Sequence, residues 1–379
     1  MKKILLALLS LSLTACSIFT PYGTSNIPEP AIVAKITPEV APKLLWQTNA
    51  GNGSDGAYLR LTPTVAAGVI YTIDQSGMLV ATDARGIRLW QLQINGGGKS
   101  NLASDGRFIT FVDNKGVLYL LSVDHGKKVW QANLVDQALA APTITPNLII
   151  VKTIDGAVTA FDRSSGQQRW QYQHDVPDLT LRASSSAVVI GQIAYVGFAD
   201  GQVVALNIAN GDQLWSQQAA EPQGFSDIER LVDIDANLII DGNRLYVATY
   251  QGQIAALDLH NGKIIWQRPN SVYADIASDH HALYAVNNDG SLTAYNLING
   301  DILWQQKALA WHFLTGPTIY ENNLVVGDVQ GQLYFIKPSN GDIIGNLAVY
   351  KDSNIINAPL QLGNLLIVIN THGRLAAVL

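Results

Sequence analysis

Two short stretches hold the residues of this chain best placed for recognition chemistry. In the first, DLTLR, Leu179 and Leu181 alternate with Thr180 and lead into Arg182; in the second, RLVDID, Asp233 and Asp235 flank Ile234. An apolar pair beside a guanidinium and two carboxylates has the makings of a protein-binding spot, where leucines bury against a partner and charges fix orientation. Superposing Gly191 and Gly201 on Gly242 and Gly252 aligns the two stretches without gaps, and Arg182 and Asp233 then each lie nine residues before the first glycine. They are expected at equivalent places in neighbouring structural units, close together on one surface. Two roles are open to the cluster. It is a docking site, or Arg182 pairs with Asp233 or Asp235 to fix the chain internally, with the leucines packed beneath.

Other chemistry finds little to stand on. His125, His174, His260, His280, His281, His312 and His372 show no paired ligand spacing, so they read as solvated turn residues and no metal site is assigned. The chain has no G-x-S-x-G elbow, no phosphate-binding glycine loop and no H-E-x-x-H helix motif, and no catalytic residue is assigned. Cys16 is the single cysteine, which leaves no disulfide framework or cysteine-based metal site within the chain. The formal charge is −6, without a basic stripe, and nucleic acid is therefore not an expected partner.

The two stretches interrupt a repeat, and the repeat must position them. GQVVALNIANGDQLW, ending at Trp215, reads as two strands and a turn: residues alternate from Val203 to Asn207, Asn210-Gly211 supplies the positive φ of a tight hairpin, and Leu214 and Trp215 close the second strand. Similar units end at Trp90, Trp130, Trp170, Trp266 and Trp304, each with glycine four residues earlier. From Trp46 to Trp304 the repeat tryptophans are spaced 44, 40, 40, 45, 51 and 38 residues apart. A period near 42 with four short strands is the signature of a propeller blade. Low charge (14%) and abundant glycine and β-branched residues agree with an all-β protein.

Counting the third-strand glycines, from Gly77 to Gly373, gives eight units. The last, HGRLAAVL, lacks a final strand, while KLLWQT around Trp46 has no preceding partners. The prediction is an eight-bladed β-propeller of four-stranded antiparallel blades, residues 43–379, closed by the N-terminal strand joining the C-terminal blade. The tryptophans are expected to dock each blade on its neighbour. Gly345 replaces the tryptophan of one unit and predicts a weaker joint there; the first hairpin, ATDARG, is one residue short, and Trp311 lies outside the repeat position.

The N-terminal end reads as targeting. Lys2 and Lys3 precede an apolar run from Ile4 to Leu13, with small residues before Cys16, the shape of a secretory signal over residues 1–15. LTAC resembles the bacterial lipobox, which implies cleavage before Cys16 and its acylation; an ordinary cleaved signal with an incidental cysteine is the alternative. Ser17 follows the cysteine, which by the sorting rule of lipoproteins implies the outer membrane, and several acyl chains suffice for stable anchoring. Residues 16–42 carry five prolines and are expected to form a tether without regular structure.

Two family resemblances bear on function. ALDLHNGKIIW, Ala256 to Trp266, is similar to the repeats of quinoprotein dehydrogenases, whose members use pyrroloquinoline quinone, calcium, a catalytic Asp and commonly a vicinal disulfide; the lone Cys16 rules out the disulfide, and no calcium set is assignable. The lipobox, the Pro-rich tether, the eight repeats and above all DLTLR and RLVDID resemble the BamB family of lipoprotein subunits of the bacterial β-barrel assembly machinery, over essentially the whole chain. That resemblance implies a non-catalytic scaffold without cofactor, lipid-anchored on the periplasmic side of the cell outer membrane. Its expected partners are the POTRA domains of BamA, with unfolded outer-membrane proteins as further clients that strand addition at blade edges could hold. It carries the BamA contact to Leu179, Leu181, Arg182, Asp233 and Asp235.

Overall fold

Short strands of alternating residues, punctuated by glycine turns, form four-stranded sheets when each strand hydrogen-bonds the next through a tight connection. The computed structural model describes residues 28–54, 60–181, 185–351 and 353–379; the expected signal segment, Cys16, the first part of the expected tether and Arg182 lie outside them. Among the described residues there is no helix, and 32 strands form eight antiparallel sheets of four. Seven sheets are consecutive in the chain: blades 1 to 7 cover residues 64–93, 103–133, 143–173, 188–218, 239–270, 276–306 and 318–348. Strands are named A to D within each blade, in chain order.

Blade 8 takes its first three strands from residues 360–378 and its strand D from the N-terminal strand Leu44–Asn49, which pairs antiparallel with Arg374–Val378. Lys43 and Leu379 exchange both backbone hydrogen bonds, at 2.7 and 2.9 Å, and so seal the ring. The expected closure is the one observed.

Strands A of most neighbouring blades touch one another around the axis. Strands B and C are buried on both faces, whereas strands D carry alternating exposure at the perimeter. Burial on both faces follows from the stacking of sheets, and the hydrophobic core accordingly divides into eight clusters, each built from two adjacent blades.

The tryptophans do the docking. Each lies on the glycine of the C–D hairpin of the following blade: Trp170 on Gly211, Trp215 on Gly262, Trp304 on Gly341. Gly211 combines φ +79° with this contact, so a side chain would be excluded both by the backbone and by the ring beneath it. Most of the indoles also donate to a hairpin carbonyl three residues before that glycine, as Trp130 does to Arg163 at 2.8 Å and Trp170 to Ile208 at 2.7 Å. In the short first hairpin Trp46 reaches Ala84, two residues before Gly86.

Blade 7 departs from the pattern for a reason the repeat alone does not contain. Its neighbour, blade 8, has no C–D hairpin, because its strands C and D come from opposite ends of the sequence. The space is filled by the incoming N-terminal segment, and a Cβ on Gly345 would stand 2.6 Å from Val40 Cγ2. The joint expected to be weak is instead packed by Val40, which joins the cluster shared by blades 7 and 8.

Residues 31–42, read from sequence as tether, therefore lie along the propeller without forming a strand. Ala31 N–H donates to Ala310 O at 2.9 Å, and Glu39 and Val40 N–H donate to Ile344 O at 2.8 and 3.2 Å. His312 is buried under this segment, with Nε2 against Ala31 O at 2.9 Å and Nδ1 against Asp328 Oδ2 at 3.2 Å. It departs from the expectation of solvated histidines, as does half-buried His174, held 2.8 Å from Asp200.

Candidate partner-binding site

In an antiparallel blade, the D-to-A crossovers and the B–C turns emerge on one face of the ring, and the A–B and C–D hairpins on the other. The crossover into blade 4 carries Leu179 and Leu181, and the crossover into blade 5 carries Asp233 and Asp235. They stand side by side on the crossover face, as the repeat alignment requires. Asp233 Oδ1 accepts the Leu181 N–H at 2.7 Å, and Ser186 N–H donates to Asn237 Oδ1 at 2.9 Å. Ser185 Oγ donates to Ile234 O at 2.7 Å as well, so several bonds stitch the two crossovers to each other.

The leucines are not packed beneath the charges: Leu179 is 44% and Leu181 40% exposed. This disposes of the purely internal arrangement for the apolar half of the cluster. Asp233 moves the other way. It is fully buried, its Oδ2 has no hydrogen-bond partner among the described residues, and burial with the nearby Asp235 raises its pKa to about 6 against the pull of the Leu181 amide. Its visible role is to hold the backbone of Leu181, so that the leucines project from a fixed support. Asp235 is partly exposed, with a side-chain accessibility of 15%. Arg182 lies outside the described residues.

Several residues of this neighbourhood were not singled out from sequence. Arg60, from the crossover into blade 1, reaches across the mouth of the ring: it donates to Tyr273 O at 2.8 Å, lies 5.3 Å from the Tyr273 ring centroid and comes within 4.0 Å of Asp235. Asp275, next to Tyr273, accepts from both the backbone and the side-chain nitrogen of Asn237 at 2.9 Å. Burial raises its pKa, with Asp235 adding to the effect and Arg60 opposing it. Lys152 lies below, at the end of strand B of blade 3. A lysine at a repeat position that is apolar or glycine in the other seven blades is the sequence signal for Lys152, whereas nothing in the repeat marks Arg60. Phe225 and Ile228 are also exposed on the blade 4–5 crossover, on a turn whose Glu229 carboxylate accepts the Phe225 and Ser226 N–H groups.

The arrangement offers two apolar side chains on a rigid backbone, rimmed by Asp235 and Arg60. Such a surface can bind a protein by burying the leucines and orienting polar groups around them. Among the described residues, no group of three or more His, Cys, Asp and Glu is placed to hold a metal ion.

Comparison with known proteins places these features in a family. A family model described as outer membrane protein assembly factor BamB matches residues 75–306. The outer membrane protein assembly factor BamB of Legionella pneumophila is 34% identical, over 99% of this chain and 98% of that protein. Its counterpart in Shewanella oneidensis is 31% identical over 100% of this chain and 98% of the relative. Among solved structures, BamB from Moraxella catarrhalis superposes with a TM-score of 0.81 at 22% identity, over 89% of this chain and 99% of that one. A quinohemoprotein alcohol dehydrogenase from Comamonas testosteroni gives a TM-score of 0.72 at 14% identity, over 89% of this chain and 76% of its own. The likeness to these two structures is one of fold.

Proposed function

The chain belongs to the BamB family of outer membrane protein assembly factors, and we propose that it is a non-catalytic scaffold that binds the periplasmic POTRA domains of BamA through the crossovers into blades 4 and 5. As a component of outer-membrane protein assembly it would help deliver and fold β-barrel clients. Acylated Cys16 would anchor it to the outer membrane, with the propeller on the periplasmic face. The observation that carries this reading is the pair of leucines, exposed at 44% and 40% yet fixed at the backbone by a buried carboxylate. Preorganised apolar anchors lose little freedom on binding, which favours recognition. Asp235 and Arg182 would supply the oriented polar contacts around them. The dehydrogenases share the fold, and a shared propeller does not carry an activity with it.

The test is capture of BamA periplasmic domains by the full chain. Leu179→Ala with Leu181→Ala removes both anchors from exposed positions and should weaken capture by roughly tenfold or more while the circular dichroism spectrum and melting temperature stay those of the parent. Arg182→Ala should act in the same direction. Undiminished capture by both variants would refute the site. The scaffold role has its own control: adding pyrroloquinoline quinone and calcium should give neither a bound-quinone spectrum nor alcohol-dependent dye reduction.

A further inference from the structure

Lys152 is a charge buried where the fold does not ask for one. The other seven blades end the same strand on isoleucine, valine, alanine or glycine, from Ile73 in blade 1 to Ile369 in blade 8. Lysine is almost never this deeply enclosed without partners, because stripping water from the ammonium is costly. Here its side chain crosses to the next blade, where the equivalent residue is Gly197. Nζ donates to Gly197 O at 2.9 Å and to Ser185 Oγ at 3.0 Å, and Ser185 Oγ donates onward to Ile234 O at 2.7 Å. Ser185 belongs to the crossover that carries the leucines, and Ile234 sits between Asp233 and Asp235. One ammonium therefore ties blade 3 to both crossovers of the candidate site.

We propose that Lys152 is the positioning residue of the docking surface, holding the two crossovers in place through Ser185 and supplying the positive charge that faces Asp233 and Asp235. The proposal rests on the docking reading above. Burial pushes the lysine down to about 8, with Asp235 and then Asp233 opposing the shift. The charged groups around it are those two carboxylates from the blade 5 crossover, Arg60 from blade 1, within 4.0 Å of Asp235, and Asp275 from blade 6, coupled to Asp235 and Arg60. Arg182 of the blade 4 crossover lies outside the described residues.

The experiment measures capture of BamA periplasmic domains by the full chain between about pH 5 and about pH 9, bracketing both groups. For the parent, capture should fall on the acid side as Asp233 takes up a proton near 6 and on the alkaline side as Lys152 loses one near 8. Lys152→Met should abolish the alkaline fall and move the acid fall upward, so that capture near neutrality drops by roughly tenfold. Lys152→Arg should abolish the alkaline fall and leave the acid one in place, since guanidinium stays charged throughout. Ser185→Ala, which breaks the relay without touching a charge, should lower capture severalfold at every pH. A loss in Lys152→Met that is equal at all pH values and not rescued by arginine would mark a merely structural lysine and overturn the proposal. If Lys152→Met does not fold, Ser185→Ala decides, and parental capture by it overturns the proposal. The Leu179→Ala, Leu181→Ala variant runs alongside: if it also captures like the parent, the docking reading fails; if it alone loses capture, only the role of Lys152 fails.

Discussion

Trp266→Ala should lower the stability of the folded chain by roughly 3–5 kcal/mol, the cost typical of deleting a large buried aromatic. Trp266 is 6% exposed, its ring lies under the Gly300 hairpin of blade 6, and its Nε1 donates to Leu297 O at 3.0 Å. A Cβ on Gly300 would already come 2.4 Å from the indole, so the hairpin and the ring are in direct contact. Alanine would leave a cavity in the joint between blades 5 and 6. Denaturant unfolding followed by circular dichroism measures the loss, and a change below about 1 kcal/mol would mean that the tryptophans do not hold the blades together. Phenylalanine separates ring from hydrogen bond. Trp170→Phe gives up the 2.7 Å bond to Ile208 O, whereas Trp215 Nε1 has no partner among the described residues. Trp215→Phe should therefore be milder than Trp170→Phe by about 1 kcal/mol.

The ring was legible in the chain because a propeller writes its plan once per blade. Gly211 and Trp215 are separated by the hairpin geometry that every joint needs, and the missing partners of Trp46 and of the last unit point to the same closure. Leu179, Leu181 and Asp233 were legible as neighbours because the gapless alignment of two crossovers is a statement about space. What the pattern could not convey was depth. Residues of a crossover alternate irregularly, so no period distinguishes Asp235, at the rim, from Asp233, fully buried behind Leu181. Arg60 was hidden for a different reason: it meets Tyr273 and Asp235 across the mouth of the ring, a contact between distant blades that no repeat register encodes. The histidines show the same limit. His312 has the sequence setting of a turn residue, and only the return of the N-terminal segment over it makes it a buried clamp.

Gly345 shows how a break in the repeat becomes readable once its surroundings are known. Restoring the tryptophan of the repeat, Gly345→Trp, should destabilise the chain by about 3 kcal/mol, the upper range for overpacking a filled site. The backbone is not the obstacle, since this glycine does not need a positive φ; space is. A Cβ there meets Val40 Cγ2 at 2.6 Å and Val40 O at 3.0 Å, and blade 8 has no C–D hairpin to receive an indole. The ring would have to push out residues 39–42, with loss of the bonds from Glu39 and Val40 to Ile344 O and of the exposed Lys337–Glu39 pair. Val40→Gly alone should cost about 1–2 kcal/mol for the lost apolar contact and the added freedom of the unfolded chain. In the double variant the deleted side chain makes room for part of the added one, so the two costs should fall short of their sum by about 1 kcal/mol or more. Strict additivity would mean that Val40 does not occupy the place of the missing tryptophan. A measured coupling would identify the N-terminal segment as the piece that completes the joint between blades 7 and 8, where the two ends of the propeller chain meet.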